Sequence, residues 1–326
     1  MRRYILVIST VLTCLLLIKL VILVGCSSEN PPGPKAKELS TIHGKHKGIS
    51  EKYEVRVEKD ISYGPASYEK CDLYTPAVTV PKKRFPGIVI IHGGGWVGGD
   101  KGLEREQNIG NTLAENGYVC ISINYLLAEE GKTSWPTNIY NCKTAVQFLR
   151  KNSDLYNVDA DHIGVIGGSA GGHLSAMVGL VGPEAGLEPH RKYKGVSSRV
   201  QAVVPLYGVH NLVNFTKTDN LEKFLGASKN ENPSLWALAS PVNHISRHDP
   251  PFLIIHGTAD PLVPLQQSVE LHEKLRENGI DSRLVIVEGA PHSFHLQPQQ
   301  QDLRPLVLAF FNKNLKAKAA VPRPLP

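Results

Sequence analysis

Two rhythms of apolar and polar residues run along this chain from about residue 53. Short apolar runs alternate with longer stretches in which apolar positions recur every three or four residues. Gly87-Ile88-Val89-Ile90-Ile91 is apolar throughout, as a strand buried on both faces requires. Tyr53 to Lys59 and Lys70 to Tyr74 alternate like half-buried strands. Tyr118 to Asn124, His162 to Ile166, Val200 to Leu206, Phe252 to Ile255 and Arg283 to Val287 predict further strands. Between them, Leu103 to Asn116 predicts a helix stopped by Gly117. Thr137 to Lys151 carries Ile139, Cys142, Val146 and Leu149 along one face. Helices are also expected from Ala170 to about Val181, from about Leu265 to Asn278 and from Leu303 to Leu315. Strands alternating with helices of this length predict an α/β fold with a mostly parallel sheet flanked by helices on both faces. One connection is longer than the rest. Residues 210–251 predict either a lid over a site or a helical excursion that only packs on the sheet.

The front end follows a different pattern. Met1-Arg2-Arg3 precedes an apolar run from Tyr4 to Gly25, and the run ends Leu23-Val24-Gly25-Cys26. A charged start, an apolar stretch and a small-residue end read as a secretory signal. The last four residues resemble the bacterial lipobox, in which Cys26 becomes the lipidated N-terminus. The alternative is an uncleaved N-terminal transmembrane anchor, because about 20 apolar residues can span a bilayer. Both place the rest of the chain in the cell envelope, outside the cytoplasm and tied to a membrane. Pro31-Pro32-Gly33-Pro34 and His43-Gly44-Lys45-His46-Lys47-Gly48 follow with no hydrophobic period, as in a solvated spacer. The expected organisation is a signal peptide over 1–25, a flexible tether over 26–52, one catalytic domain over 53–317 and a disordered tail over 318–326.

Composition narrows the functional classes. The formal net charge is +6, and Arg2, Arg3 and Lys19 of the leader supply half of it. The other Lys and Arg residues are dispersed, so no nucleic-acid partner is implied. Of the five cysteines, Cys14 and Cys26 belong to the leader and its cleavage point. Cys71, Cys120 and Cys142 allow at most one disulfide, and Cys120, inside an apolar strand, reads as a buried thiol. No Cys or His cluster has zinc spacing, so neither metal nor cofactor is expected.

The chemistry gathers at strand ends. Gly167-Gly168-Ser169-Ala170-Gly171 follows the run Ile163 to Ile166 and fits G-x-S-x-G, a sharp strand-to-helix turn that exposes a serine hydroxyl. His92-Gly93-Gly94-Gly95-Trp96 follows Ile88 to Ile91 and fits an oxyanion-hole loop, whose N–H groups face a developing negative charge. By resemblance to the same loop of lipases and esterases, the donors would be the N–H groups of Gly94, Gly95 and Ala170. A serine needs a base, and in this arrangement an acid and then a histidine follow it in the chain. Asp260 closes the strand Phe252 to Ile255, whereas Asp249 and Asp281 precede strands and fall at the wrong edge. Glu288 lies where the histidine is expected. After the last strand, His292 and His295 compete for the base, and His292 is preferred because it opens an H-x-F pattern that resembles the one esterases carry at this point. His256 is expected to support the Asp260 loop, His92 to orient the glycine loop and His173 to pack on the elbow helix, rather than react. Trp96, Trp135, Phe215 and Trp236 are candidates for a substrate pocket or for core; Trp96 and Trp236 are taken as the pocket candidates.

These residues resemble the α/β-hydrolase superfamily, and specifically bacterial esterase/lipase-type carboxylesterases. The resemblance spans about residues 53–316 and is close in Asn124-Tyr125, Trp135-Pro136, Val158-Asp159 and Gly167 to Leu174. The Gly167 to Leu174 stretch is similar to the acetyl- and feruloyl-esterase-like branch. His210-Asn211 departs from the pattern, since many relatives carry an Asp nearby. The resemblance implies a serine carboxylic-ester hydrolase acting through Ser169, His292 and Asp260 on short-acyl or carbohydrate-linked (acetyl or feruloyl) esters, without a cofactor. An amidase, formamidase or peptidase would use the same triad. A non-catalytic binding lipoprotein is the reading from another class, and it would be expected to have lost a triad member.

Overall fold

In the computed structural model, residues 52–78, 83–189, 192–217 and 219–316 are described. The leader, Cys26, the tether as far as residue 51 and the tail 318–326 lie outside them. Among the described residues eight strands form one sheet: β1 (Val55–Ser62), β2 (Lys70–Pro76), β3 (Phe85–Ile91), β4 (Val119–Ile123), β5 (Val158–Gly168), β6 (Ala202–Leu206), β7 (Phe252–Gly257) and β8 (Ser282–Val287). Their spatial order is β1-β2-β4-β3-β5-β6-β7-β8. The pairs β1/β2 and β2/β4 are antiparallel, and every pair from β4 to β8 is parallel. The fold is thus that of an α/β hydrolase.

The helices are α1 (Glu104–Glu115), α2 (Thr137–Lys151), α3 (Ser153–Tyr156), α4 (Ala170–Leu180), α5 (Asp219–Leu225), α6 (Pro233–Leu238), α7 (Gln266–Glu277) and α8 (Arg304–Leu315). Alternate residues of each central strand enter different cores, as the pleat demands. Val89 and Ile91 pack with Ile139, Val146, Leu174, Met177 and Leu271, from α2, α4 and α7. Ile88 and Ile90 pack with Ile109, Leu113, Val307 and Phe311, from α1 and α8. The sheet is therefore covered on both faces. Cys71, Cys120 and Cys142 are all buried free thiols.

Two features position the site. The strand order reverses at β3, which lies between β4 and β5, and ligand crevices open beyond the carboxyl ends of strands at such a point. Ile91 pairs with Gly167, so the ends of β3 and β5 are neighbours, and the chains that leave them must meet. β5 is also longer than its apolar run predicts. Val158 and Asp159 pair with Phe85 and Pro86 before a register shift, which adds polar residues to the strand.

The long connection packs on the body of the fold. Phe224 and Trp236 have no exposed surface, and Phe215 is buried. The carbonyl of Phe224 accepts from Trp135 N at 3.1 Å. The Trp236 indole N–H donates to Ala227 O at 3.0 Å. This corrects Trp236 as a pocket candidate: its ring faces the core because α6 turns that side inward, and its one polar atom is already satisfied. Replacing Trp236 with Ala is therefore expected to cost about 3–5 kcal/mol of stability in urea unfolding, as for other buried aromatics. A loss below about 1 kcal/mol would place the ring outside the core.

Candidate active site

Ser169 stands between the last residue of β5 and the first of α4, with φ 59° and ψ −121°. Its N–H donates to Leu206 O at 2.9 Å, and its carbonyl accepts from His173 N at 3.0 Å. The turn is bent hard enough to bring strand and helix into contact. A side chain on Gly167 would lie 2.5 Å from Gly171 O and 2.6 Å from Ile91 O, and one on Gly171 would strike the same Ile91 carbonyl. Those two positions must lack a Cβ for the serine to project from the sheet edge.

His292 and Asp260 reach Ser169 from the ends of β8 and β7. His292 Nε2 lies 2.9 Å from Ser169 Oγ, and Nδ1 lies 2.6 Å from Asp260 Oδ2. A carboxylate only accepts, so the proton belongs on Nδ1 and the neutral ring presents Nε2 as an acceptor for the serine hydroxyl. Asp260 is itself fixed. Its Oδ1 accepts from the N–H groups of Leu262 at 2.8 Å and Val263 at 2.9 Å. A second imidazole, His256, brings Nε2 to 3.2 Å from Oδ2. The same Nε2 lies 2.9 Å from Val263 O, and Nδ1 lies 2.7 Å from Ser268 Oγ. Burial alone would push the Asp260 carboxyl up, but the hydrogen bonds from His256, His292 and the two N–H groups outweigh it. They hold Asp260 well below the usual carboxylate range.

The competing groups sit elsewhere. His295 Nδ1 accepts from Gln297 N at 3.0 Å. Asp249 binds Ser246, Asp281 pairs with Lys313 at 2.7 Å, and Glu288 accepts from Thr258 at 3.0 Å.

The loop after β3 lies against the elbow. A Cβ on Gly93 would be 2.8 Å from Gly168 O and 3.2 Å from Ser169 Cβ. Gly94 has φ 118° and a Cβ there would strike the Gly98 carbonyl, so the turn requires glycine. The Gly94 carbonyl accepts from Gly98 N at 3.0 Å, which closes the loop. Among the described residues, no backbone carbonyl takes up the N–H of Gly94 or Gly95. Ala170 opens α4, where N–H groups lack intrahelical acceptors.

Behind the loop is a shell of neutral aromatic rings. His92 stacks on Tyr125 with centroids 4.3 Å apart, and its Nδ1 donates to Gly93 O at 2.7 Å. Trp96 stacks on Phe224 at 4.9 Å and donates its indole N–H to His173 Nδ1 at 3.1 Å. His173 Nε2 in turn donates to Ala239 O at 2.8 Å. Trp96, the other pocket candidate, is thus committed to packing, with 4% of its surface exposed. The departure at His210-Asn211 is also buried. Asn211 Nδ2 is held by Glu270 at 2.6 Å, so this amide is taken up by α7.

Three residues escaped the sequence reading: Arg105, Glu106 and Tyr207. Glu106 has 1% exposure and pairs with Arg105 beside it. Tyr207 has none, and its ring meets His292 edge-on at 4.9 Å. One signal was present. Glu106 falls on the apolar stripe of α1 with Ile109, Gly110 and Leu113, where a carboxylate is out of place.

Buried imidazoles give the fold an acid-sensitive window. Burial pushes both His92 and His173 down to about 4, against about 6.5 in an unfolded chain. Between those values the unfolded chain takes up protons that the folded chain refuses, so stability falls as pH drops. Asp260 adds a further loss below about pH 4, because its folded value lies under the unfolded one. The unfolding free energy in urea is expected to decline from pH 7 to pH 4, less steeply in His173→Gln. A flat profile over that range would show that these rings are not buried as neutral groups.

Comparison with known proteins agrees with this architecture. The BD-FAE family model matches residues 71–275, well over half of the chain. Esterase LipQ of Mycobacterium tuberculosis is 33% identical over 245 residues, which cover 73% of this chain and 57% of that protein. The chain therefore spans little more than half the length of that relative. Among solved structures, a truncated carbohydrate esterase from gut microbiota superposes with a TM-score of 0.70 at 28% identity, covering 81% of this chain and 97% of that one. Esterase 2 of Thermogutta terrifontis gives 0.64 at 26% identity, covering 80% and 92%. With its β3 and β5 loops meeting at one sheet edge, the chain belongs to the BD-FAE family of the α/β hydrolases.

Proposed function

We propose that this chain is a serine carboxylesterase acting through Ser169, His292 and Asp260. The observation that carries the reading is the hydrogen-bonded line Asp260–His292–Ser169, with steps of 2.6 and 2.9 Å, ending on a serine in a strained turn beside a glycine loop. His292 Nε2 takes the hydroxyl proton as Ser169 Oγ attacks the ester carbonyl. Asp260 keeps the imidazole in the required tautomer and stabilises its charged form. The N–H groups of Gly94, Gly95 and Ala170 receive the oxyanion of the tetrahedral intermediate; one such donor is typically worth about 3 kcal/mol. The intermediate collapses, the alkoxide leaves with the proton from His292, and the acyl group stays on Ser169. Water, deprotonated by the same imidazole, then releases the acid and restores the serine.

For substrate, we propose short-acyl or carbohydrate-linked esters carrying acetyl or feruloyl groups. The BD-FAE match and the carbohydrate esterase among the structural neighbours support this class. A lipidated Cys26 would hold the enzyme in the cell envelope, facing substrates too large to enter the cell. The leader pattern of residues 1–26 supports that location.

The test uses protein lacking residues 1–26, a panel of acyl esters of increasing chain length, acetyl-xylan, methyl ferulate and a matched anilide. Turnover is expected on the short esters, with Ser169→Ala lowering kcat by on the order of 10⁴ or more. Undiminished activity in Ser169→Ala, or cleavage of the anilide in preference to every ester, would overturn the proposal.

A further inference from the structure

The guanidinium of Arg105, the second residue of α1, lies where the two glycine turns of the site come together. A Cβ on Gly93 would be 3.1 Å from Arg105 Nη2, and one on Gly168 would be 3.0 Å from Arg105 Nη1. The group thus touches both the loop that presents the oxyanion donors and the strand end that presents Ser169. Its Nε donates to Glu106 Oε1 at 2.8 Å, and Nη2 reaches the same oxygen. Nη1 donates to Tyr207 Oη at 3.3 Å. The tyrosine passes the connection on. Its hydroxyl donates to Phe294 O at 2.6 Å, two residues beyond His292. Its ring meets the His292 ring at 4.9 Å and the Phe294 ring at 4.5 Å. Tyr207 also follows Leu206, whose carbonyl receives the Ser169 N–H.

Stability alone is a poor reason for this arrangement. Desolvating an ion pair offsets most of its Coulombic gain, and apolar replacements often stabilise a core as well or better. Here the pair is unevenly satisfied. Glu106 has one oxygen on Arg105, while Oε2 is buried with no partner among the described residues. Burial works against the Arg105 charge, but Tyr207 and Glu106 outweigh it and raise the group above its ordinary value. A planar fork with fixed donor directions is what this position uses, and a lysine would not reproduce it.

We propose that Arg105 and Tyr207 are positioning residues for ester hydrolysis. The guanidinium sets the oxyanion loop against the elbow, and through the Tyr207 hydroxyl it sets the height of the loop that carries His292. The inference rests on the esterase reading, and it adds the device that keeps base, nucleophile and oxyanion donors in one register. Neither residue takes part in the bond-making or bond-breaking steps. Misplacement of a catalytic group by about 1 Å can cost about a hundredfold in rate, which is the scale of effect available to such a device.

The test compares Tyr207→Phe, Arg105→Lys and Arg105→Met with the parent protein. Tyr207→Phe keeps the ring against His292 and removes only the hydroxyl, and Arg105→Lys keeps the charge and most of the volume. Active sites are titrated to completion with a fluorophosphonate, and kcat is expressed per titrated serine. That quantity separates positioning from folding, since a fold defect lowers the titratable fraction and leaves the remaining molecules at full rate. Expected are falls in kcat per site of about tenfold for Tyr207→Phe and Arg105→Lys and about a hundredfold for Arg105→Met, with KM changed by less than about threefold. Parental kcat per site in both Tyr207→Phe and Arg105→Lys would overturn the proposal, as would losses confined to the titratable fraction. A parent protein that turns over no ester would instead sink the esterase reading itself.

Discussion

The backbone of Ser169, at φ 59° and ψ −121°, occupies a region that residues with side chains enter at a cost of about 1–3 kcal/mol. A chain holds such a conformation only where its surroundings leave no alternative. Here β5 is pinned between β3 and β6, and α4 is buried along nearly its whole length. The Ser169 N–H is bound by the end of β6 and its carbonyl by the first turn of α4. Gly167 and Gly171 let the Ile91 carbonyl sit where side chains would otherwise be. The sheet core therefore holds the elbow in place, and the elbow sets where every other group of the site must be.

Charge follows from that placement. A hydroxyl at the sheet edge has use for a base only if the imidazole is oriented, and the orientation comes from a carboxylate surrounded by four donors. Asp260 accepts from two imidazoles and two backbone N–H groups, so it stays ionised despite burial. His92 and His173 work in the opposite sense. Burial keeps both neutral, so neither ring adds a charge beside the glycine loop.

Much of this was legible from the chain because it depends on local patterns. The apolar run Gly87 to Ile91 and the helix Thr137 to Lys151 follow from burial periodicity, and α2 has the bounds that its pattern implies. Ser169, Asp260 and His292 stand beyond the ends of β5, β7 and β8, so chain order and a parallel sheet were enough to bring them together. The polar start of β5 was not visible, because Val158 and Asp159 are strand only through pairing with Phe85 and Pro86. Trp236 looked equally suited to pocket or core, since an aromatic ring in a long connection carries no sign of which way its helix faces. Arg105 and Tyr207 depend on contacts between residues distant in sequence, such as Arg105 with Tyr207 and Tyr207 with Phe294. Only the misplaced carboxylate of Glu106 on an apolar stripe hinted at them.

In the proposed mechanism Ser169 is a nucleophile made reactive by His292. The most direct measurement is peptide mass spectrometry after brief exposure to a fluorophosphonate at pH 7. One phosphonyl adduct is expected on the peptide containing Ser169, absent in Ser169→Ala and formed far more slowly in His292→Ala. An adduct on another residue, or equal labelling with and without His292, would contradict it.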